Sequence, residues 1–421
     1  MRDSIESNRS GLRQFLGSAA TLQGDLSNTT APPFLLARHS AVELPQYLAD
    51  RPSLFVAPAL EPDAEKRALL VLKRFLSSLK NQQYAGRNEG DGVKKPLNSF
   101  LGELFMGNWN DAENGETRVI AEQVSHRPPI TACYLWNNKH GVRAEGYTQQ
   151  ETTFSGNVNI KQKGYAVQHI DRYEEDYLLP IPDVQIKSLL SGSPYPELVG
   201  KCSIVSSTGL ISEVKFGGKG WIGGSKNSFA ARLYRADKPS EDIYTANGCW
   251  NGKFSIHDAR SGRQLETFDV NAEKTTPVKV ADISKQDPWE SRRAWRAVAD
   301  ALLEGDMKGT SDAKAVIEQG QRTMRKDEEA RGEEWKRLFF RRQSTDSVFQ
   351  KLSSADRQSF EVDPASGMWK VDKDAVEKQQ RPYHGNLLPT GNVAGSAEQG
   401  GILEKAIALG VLWGLSQRLI Y

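Results

Sequence analysis

From about Thr117 to Val270 the sequence alternates apolar and polar residues with a period of two, and short glycine-bearing turns interrupt the alternation. Val142-Arg-Ala-Glu-Gly-Tyr147, Val158-Asn-Ile-Lys-Gln162, Val184-Gln-Ile-Lys187 and Phe229-Ala-Ala-Arg-Leu-Tyr234 read as strands. Asn138-Lys-His-Gly141 and Phe216-Gly-Gly-Lys-Gly220 read as turns between strands. Strands joined this closely, with few helical stretches between them, predict an antiparallel meander and argue against βαβ units. A long meander must bury its edges, and curling into a barrel does that. Barrels of about eight strands are filled by side chains or hold one small ligand. A larger, incomplete barrel leaves a tunnel that a helix must close.

The flanks have helical spacing. In Ser10 to Leu26 the apolar residues Leu12, Phe15, Leu16, Ala19, Leu22 and Leu26 fall three and four apart, on one helical face. The other face is mostly Ser, Thr, Gly and Gln, which suits packing back on the domain or sensing defects in a lipid surface. Pro62 to Tyr84 reads as a helix capped by Asp63, with Leu69, Leu70, Leu72, Phe75, Leu76 and Leu79 apolar. Beyond Asp287, Trp289, Trp295, Ala299 and Leu302 mark one helix, and Asp312 to about Phe340 a longer, highly charged one. Asp363 to Trp369 reads as a turn, and Gln379 to Gly400 as a loop. Leu403, Ile407, Val411 and Leu415 repeat every four residues in the last segment, the spacing of another helix.

Charge narrows the partners. The 55 basic and 53 acidic side chains of the 421-residue chain leave a net charge of +2, without the basic excess of a nucleic-acid binder. Cys133, Cys202 and Cys249 are far apart and fit neither a disulfide framework nor a zinc pattern, so reduced thiols are expected. No run approaches the roughly 18 apolar residues of a spanning helix. The longest candidate, Ile402 to Leu415, contains Glu404 and Lys405. No secretory h-region opens the sequence. The expectation is a soluble, cytoplasmic protein whose contact with membranes is peripheral.

Three strings stand out chemically. Glu122-Gln-Val-Ser-His-Arg-Pro-Pro129 presents His126 and Arg127 on a turn stiffened by two prolines. Rigid cationic donors of this kind suit phosphate. Lys94-Lys-Pro-Leu-Asn-Ser-Phe-Leu-Gly-Glu103 places Lys95 beside a rigid, apolar-flanked loop. Lys314, Glu318 and Arg322, four residues apart, share one helical face over about 12 Å. Taken singly, each also fits an ordinary role: a surface turn, a solvated lysine pair, a solvated helix face. Catalytic patterns are missing: the sequence has no HExxH, CxxC, GxSxG or Walker loop. Gly217-Gly-Lys-Gly-Trp-Ile-Gly-Gly224 lies between strands without a following helix, so it reads as a bend in a strand or a turn. Neither a metal nor a cofactor is expected.

Glu122 to Pro129 resembles the EQVSHHPP fingerprint of the oxysterol-binding-protein family, with Arg127 in place of the second histidine. Lys94 to Phe105, Ser206-Ser-Thr-Gly209, Lys226-Asn-Ser-Phe229 and Glu290-Ser-Arg-Arg-Ala-Trp295 resemble family segments in the same order. Gly24-Asp-Leu26 and Ala31-Pro-Pro-Phe34 resemble the stretch that follows the lid in short, yeast-type members lacking a pleckstrin-homology domain. The resemblance implies an α+β, mainly antiparallel β fold: a large incomplete β-barrel around a lipid tunnel, beneath an N-terminal helical lid. It divides one ligand-binding domain into a lid (1–31), an N-terminal helical segment (32–116), the barrel (117–280) and a C-terminal helical subdomain with tail (281–421).

The same resemblance implies a non-enzymatic, monomeric carrier that exchanges sterol and phosphatidylinositol 4-phosphate between membranes, at the endoplasmic reticulum, Golgi or plasma membrane. Lys95, His126, Arg127, Lys314, Glu318 and Arg322 would hold the phosphoinositide headgroup. Gln83, Tyr84, Arg87 and Gln162 would hold the sterol hydroxyl, with Leu48 at the same end. Leu48 stands where related sequences have Trp, and Thr148 where they have Asn. The alternatives are a phosphoinositide-binding regulator and a carrier of another lipid such as phosphatidylserine.

Overall fold

The structure is a computed structural model, and it describes residues 11–12, 14–15, 17, 31–189, 194–217 and 225–394. A short parallel pair, β1 (Leu36–Ser40) with β2 (Lys95–Leu97), stands apart from one 14-stranded antiparallel sheet. Along that sheet run β3 (Leu104–Asp111), β4 (Gly115–His126), β5 (Pro129–Asn137), β6 (Val142–Phe154), β7 (Val158–Ile170) and β8 (Glu175–Leu179). β9 (Asp183–Lys187) and β10 (Tyr195–Val199) branch from the end of β7. The sheet continues through β11 (Lys201–Ser206), β12 (Leu210–Gly217), β13 (Ser228–Arg235), β14 (Lys238–Cys249), β15 (Lys253–Asp258) and β16 (Gln264–Asp269). The four strings read as strands lie in β6, β7, β9 and β13, and the turn Asn138 to Gly141 joins β5 to β6.

The sheet is strongly curled. Its edges, β3 and β16, are eleven steps apart in the strand order, about 53 Å in a flat sheet at the usual strand spacing. Yet Trp109 of β3 donates its indole N–H to the Thr276 carbonyl at 2.9 Å. Thr276 follows the last residue of β16, Asp269, by seven residues, a span of at most about 25 Å. The edges must therefore approach one another. They do not pair: among the described residues the sheet is open between β3 and β16, and no closed barrel forms. The chain beyond β16 covers the free edge instead, through reciprocal backbone bonds between Asn108 and Lys279 and a bond from Leu104 to the Trp289 carbonyl.

Four helices matter here: α1 (Pro52–Leu60), α2 (Ala64–Tyr84), α3 (Arg296–Glu304) and α4 (Met307–Arg331). α2 starts where its cap says it should, with the Asp63 carboxylate accepting the Lys66 N–H at 3.0 Å. Its buried face, Ala68, Val71, Leu72, Phe75, Leu76 and Leu79, packs on the concave side of the sheet with Trp109, Ala121, Val214, Phe254 and Phe268. A second core lies on the convex side, where Ile120, Val124, Ile130 and Tyr134 meet Trp289, Trp295, Ile317, Leu338 and Phe339.

Several expectations need correction. The segment 32–116 is not all helical: it holds β1, β2 and β3, and the sheet starts at Leu104, ahead of Thr117. Residues 281–394 also carry a strand pair, β17 (Phe340–Gln343) with β18 (Met368–Val371). Trp289, Trp295, Ala299 and Leu302 do not share one helix, because a break at Trp295 separates Ser291–Ala294 from α3. The glycine-rich stretch 218–224 and the C-terminal segment 401–421 lie outside the described residues, as does the tail's expected helix. Among the described residues no helix is long and apolar enough to cross a membrane.

Candidate functional site

Between the concave face of the sheet, α2 and the segment before α1 lies a cavity of about 370 Å³, within the usual range for a small-molecule site. Apolar walls come from Phe75 on α2, Leu179 on β8, Val184 and Ile186 on β9, and Val158 and Ile160 on β7. Leu12 and Phe15 cover it; their backbone is helical and Leu12 is 2% exposed. Leu12 and Phe15 belong to one apolar cluster with Phe34, Leu35, Phe154, Val158, Ile186 and Leu189, so these two side chains rest on β6, β7 and β9. The other predicted lid residues, Leu16, Ala19, Leu22 and Leu26, lie outside the described residues.

One part of the rim is cationic. Lys95, on β2, lines the cavity and donates to the Asn98 side chain. The loop after it is pinned by Ser99, whose hydroxyl bonds Ser40 Oγ at 2.8 Å and accepts the Val42 N–H at 2.9 Å. Burial and the nearby Lys314 ammonium push Lys95 down to about 8, partly offset by Glu318. Lys314 is itself buried on α4 and paired with Glu318, whose other oxygen is 3.9 Å from Arg322. Arg322 is exposed, with 65% of its side chain in solvent. From the opposite side the β4–β5 turn brings His126, with Nδ1 3.3 Å from the Ser99 carbonyl oxygen. Burial lowers the pKa of His126, as do Arg127 and Arg325. Arg127 is exposed beside it. Lys95, His126, Arg127, Lys314, Glu318 and Arg322 therefore cluster, although they come from three separate stretches of sequence; of the six, Lys95 lines the cavity itself and the others gather behind and beside it.

Within the fingerprint the remaining residues build the wall. Both Glu122 carboxylate oxygens accept backbone N–H groups, from Leu338 and Phe339, each at 2.8 Å. Burial raises its pKa to about 7. Gln123 lines the cavity and accepts from the Thr131 hydroxyl at 2.7 Å. The register shift between Gln123 and Ser125 is a bulge that re-aims the strand just before His126.

The predicted hydroxyl-binding set is brought together only in part. Leu48, Gln83 and Gln162 line the cavity, as does Thr148. Gln162 donates its side-chain amide to the Pro182 carbonyl at 2.6 Å and faces the Gln150 amide at 3.3 Å. Tyr84 and Arg87 are not in the wall. Tyr84 is buried in the concave core near Glu197 and Asn227, and Arg87 donates to the Asp91 carbonyl at 3.0 Å. Tyr84 is the last residue of α2 and turns away from the hollow, toward Glu197 and Asn227.

Two arginines escaped the sequence reading. Arg325 lies 4.9 Å over the Trp335 ring, bonds Glu328 at 2.8 Å and acts on His126. Its spacing of eleven residues from Lys314, three helical turns, was the available signal. Arg74, on α2, also lines the cavity, and nothing in its spacing marked it. Among the described residues no His, Cys, Asp and Glu cluster is arranged to hold a metal.

The site thus combines a curled antiparallel sheet, a largely apolar hollow in its concavity and a cluster of cations beside it. The oxysterol-binding-protein family model matches residues 18–380, and the chain belongs to that family. Its curated relatives include the probable transporter efuK of Hormonema carpetanum, 54% identical over 88% of this chain and 54% of that protein. This chain thus spans about half the length of that relative. The protein kes1 of Schizosaccharomyces pombe is 41% identical over 82% of this chain and 90% of its own length. Among solved structures, the Osh1 ORD domain in complex with cholesterol superposes with a TM-score of 0.65 at 20% identity, covering 85% of this chain and 86% of that one. The Osh3 ORD of Saccharomyces cerevisiae in complex with PI(4)P gives 0.61 at 20% identity, covering 80% and 87%. At these identities the structures speak for the fold.

Proposed function

We propose that this chain is a lipid-transfer protein that takes up one lipid at a time and exchanges sterol for phosphatidylinositol 4-phosphate between membranes. The observation that carries the reading is the joining of an apolar, covered hollow to a rim where Lys95, His126, Lys314 and Arg322 converge. Family membership supports lipid transport in general, and the cholesterol and PI(4)P bound by the two Osh domains support the choice of cargo.

In this reading the curled sheet is an incomplete barrel and the N-terminal segment its lid. The lid docks on a membrane, uncovers the hollow and admits a lipid; closure hides the ring system or acyl chains from water. Apolar burial supplies the affinity, at about 25 cal/mol per Å². A phosphate monoester brings up to about two negative charges, which the rim cations match. A sterol brings a hydroxyl and no charge, so the rim discriminates between cargoes. Sharing one hollow, the cargoes exclude each other, and a phosphoinositide gradient drives the sterol against its own. No bond is made or broken, and the protein works as a cytoplasmic, peripherally bound monomer. Transfer of a fluorescent sterol between liposomes tests this: phosphatidylinositol 4-phosphate in the acceptor should accelerate it. Binding of either lipid without transfer would make the chain a sensor.

A further inference from the structure

Arg74 is the anomaly in the hollow. It lies in the middle of α2, lines the hollow beside Leu44, Pro45, Leu48 and Phe75, and is 3% exposed. Its Nη1 donates to the Leu48 carbonyl at a long 3.3 Å, and its guanidinium lies 5.8 Å from the Phe55 ring centre. Nε has no hydrogen-bond partner, and among the described residues no carboxylate pairs with it. The other buried arginines of this region are neutralised or better bonded. Arg67 pairs with Glu175 at 2.5 Å, and Arg51 with Asp50 at 3.2 Å.

A guanidinium held this way is costly. A buried charge without a counterion is strongly penalised, and an apolar side chain of similar volume would serve a purely structural wall better. The cost is recovered when an anion arrives, because desolvation has already been incurred and five N–H donors in a planar fork match a carboxylate. Neutral sterols offer Arg74 nothing of this kind. Arg74 shares the hollow with Lys95, which reaches it from β2, so the test must tell the two cations apart.

We propose that the hollow accepts an amphiphile whose apolar body carries a carboxylate, which Arg74 binds inside the protein. The inference rests on the reading of the hollow as a lipid site and narrows the class of cargo. Two sources share the chemistry: a polycyclic acid of sterol size and a free fatty acid.

The test uses the full chain and displacement of a fluorescent sterol. The probes are 3β-hydroxy-5-cholenic acid with its methyl ester, and oleic acid with methyl oleate. At least one acid should bind ten-fold or more tightly than its ester, and the pair that shows it identifies the source. Arg74→Met should erase that preference and Arg74→Lys should retain part of it; circular dichroism and thermal melting establish that each variant is folded. Equal affinity for acid and ester in both pairs, or a preference that survives Arg74→Met, overturns the proposal. The second outcome would place the acid at the Lys95 rim. If the fluorescent sterol itself fails to bind, the reading of the hollow as a lipid site fails first.

Discussion

His126 Nδ1 lies 3.3 Å from the carbonyl oxygen of Ser99, and this contact ties the β4–β5 turn to the loop that carries Lys95. It brings together two strings 27 residues apart in sequence, and α4 completes the rim with Lys314, Glu318 and Arg322. Replacing His126 and Arg127 by Ala therefore removes donors from the rim while leaving the apolar hollow in place. Hydrogen bonds to charged groups contribute about 1.5–3 kcal/mol each, so extraction of phosphatidylinositol 4-phosphate from liposomes should fall ten-fold or more. Sterol extraction should stay near its starting level. Equal loss of both, in a protein that melts as before, would contradict a charge-selective rim.

Lys95 makes headgroup binding depend on pH. Its ammonium is destabilised by burial and by Lys314, which pushes it down to about 8, and a bound phosphate would restore the charged form. Below pH 8 the free protein already carries the charge. Above it, binding must take up a proton, so affinity should fall as pH rises from 8 to 10, by up to about ten-fold per unit. Sterol affinity should be flat over that range, and Lys95→Met should flatten the phosphoinositide profile. Binding to phosphoinositide liposomes measured across the pH series checks both.

Glu122 has a structural task, since its two oxygens accept the N–H groups of Leu338 and Phe339 and join β4 to the convex core. Glu122→Gln turns one acceptor into a donor facing a donor, at a cost of about 1–3 kcal/mol. Glu122→Ala leaves both N–H groups unpaired and should cost more. The raised pKa adds a second expectation. Glu122 binds a proton more readily folded than unfolded, so its contribution to stability is present below pH 4.5 and is lost as pH rises through about 7. Urea denaturation of the Gln variant should show a weaker decline between pH 5 and 7 than the parent protein.

The cover over the hollow is a testable part. Leu12 and Phe15 close it against Leu35 and Phe154. Deleting residues 1–29 should cripple sterol transfer between liposomes, because an uncovered hollow loses its cargo to water. Headgroup recognition on liposomes should persist, since no rim residue is removed. Transfer at the original rate would show that the segment is not a lid.

The fold was legible where one face of a strand meets solvent or the hollow. β6 keeps the period of two through Gly146, and β13 keeps it through Tyr234. β3 was missed for a physical reason. Phe105 packs on the concave core and Leu104 on the convex one, so both neighbours are buried and the alternation disappears. The rim was legible through motifs, because Lys95, His126 and the four-residue spacing on α4 sit in distinctive strings. Their convergence was not, since it depends on the curl of the sheet. Arg74 was hidden by its own helix: in Leu72-Lys-Arg-Phe75 it reads as half of a solvated basic pair, and the hollow beside it exists only in the fold.

The central claim is that the hollow holds one lipid molecule at a time, and native mass spectrometry of the purified chain with its co-purifying lipids tests it most directly. The account predicts a 1:1 complex with a sterol-sized or phosphoinositide mass, and replacement of one by the other when the second is added. A chain that remains empty in the presence of both lipids, or that carries both at once, would contradict it.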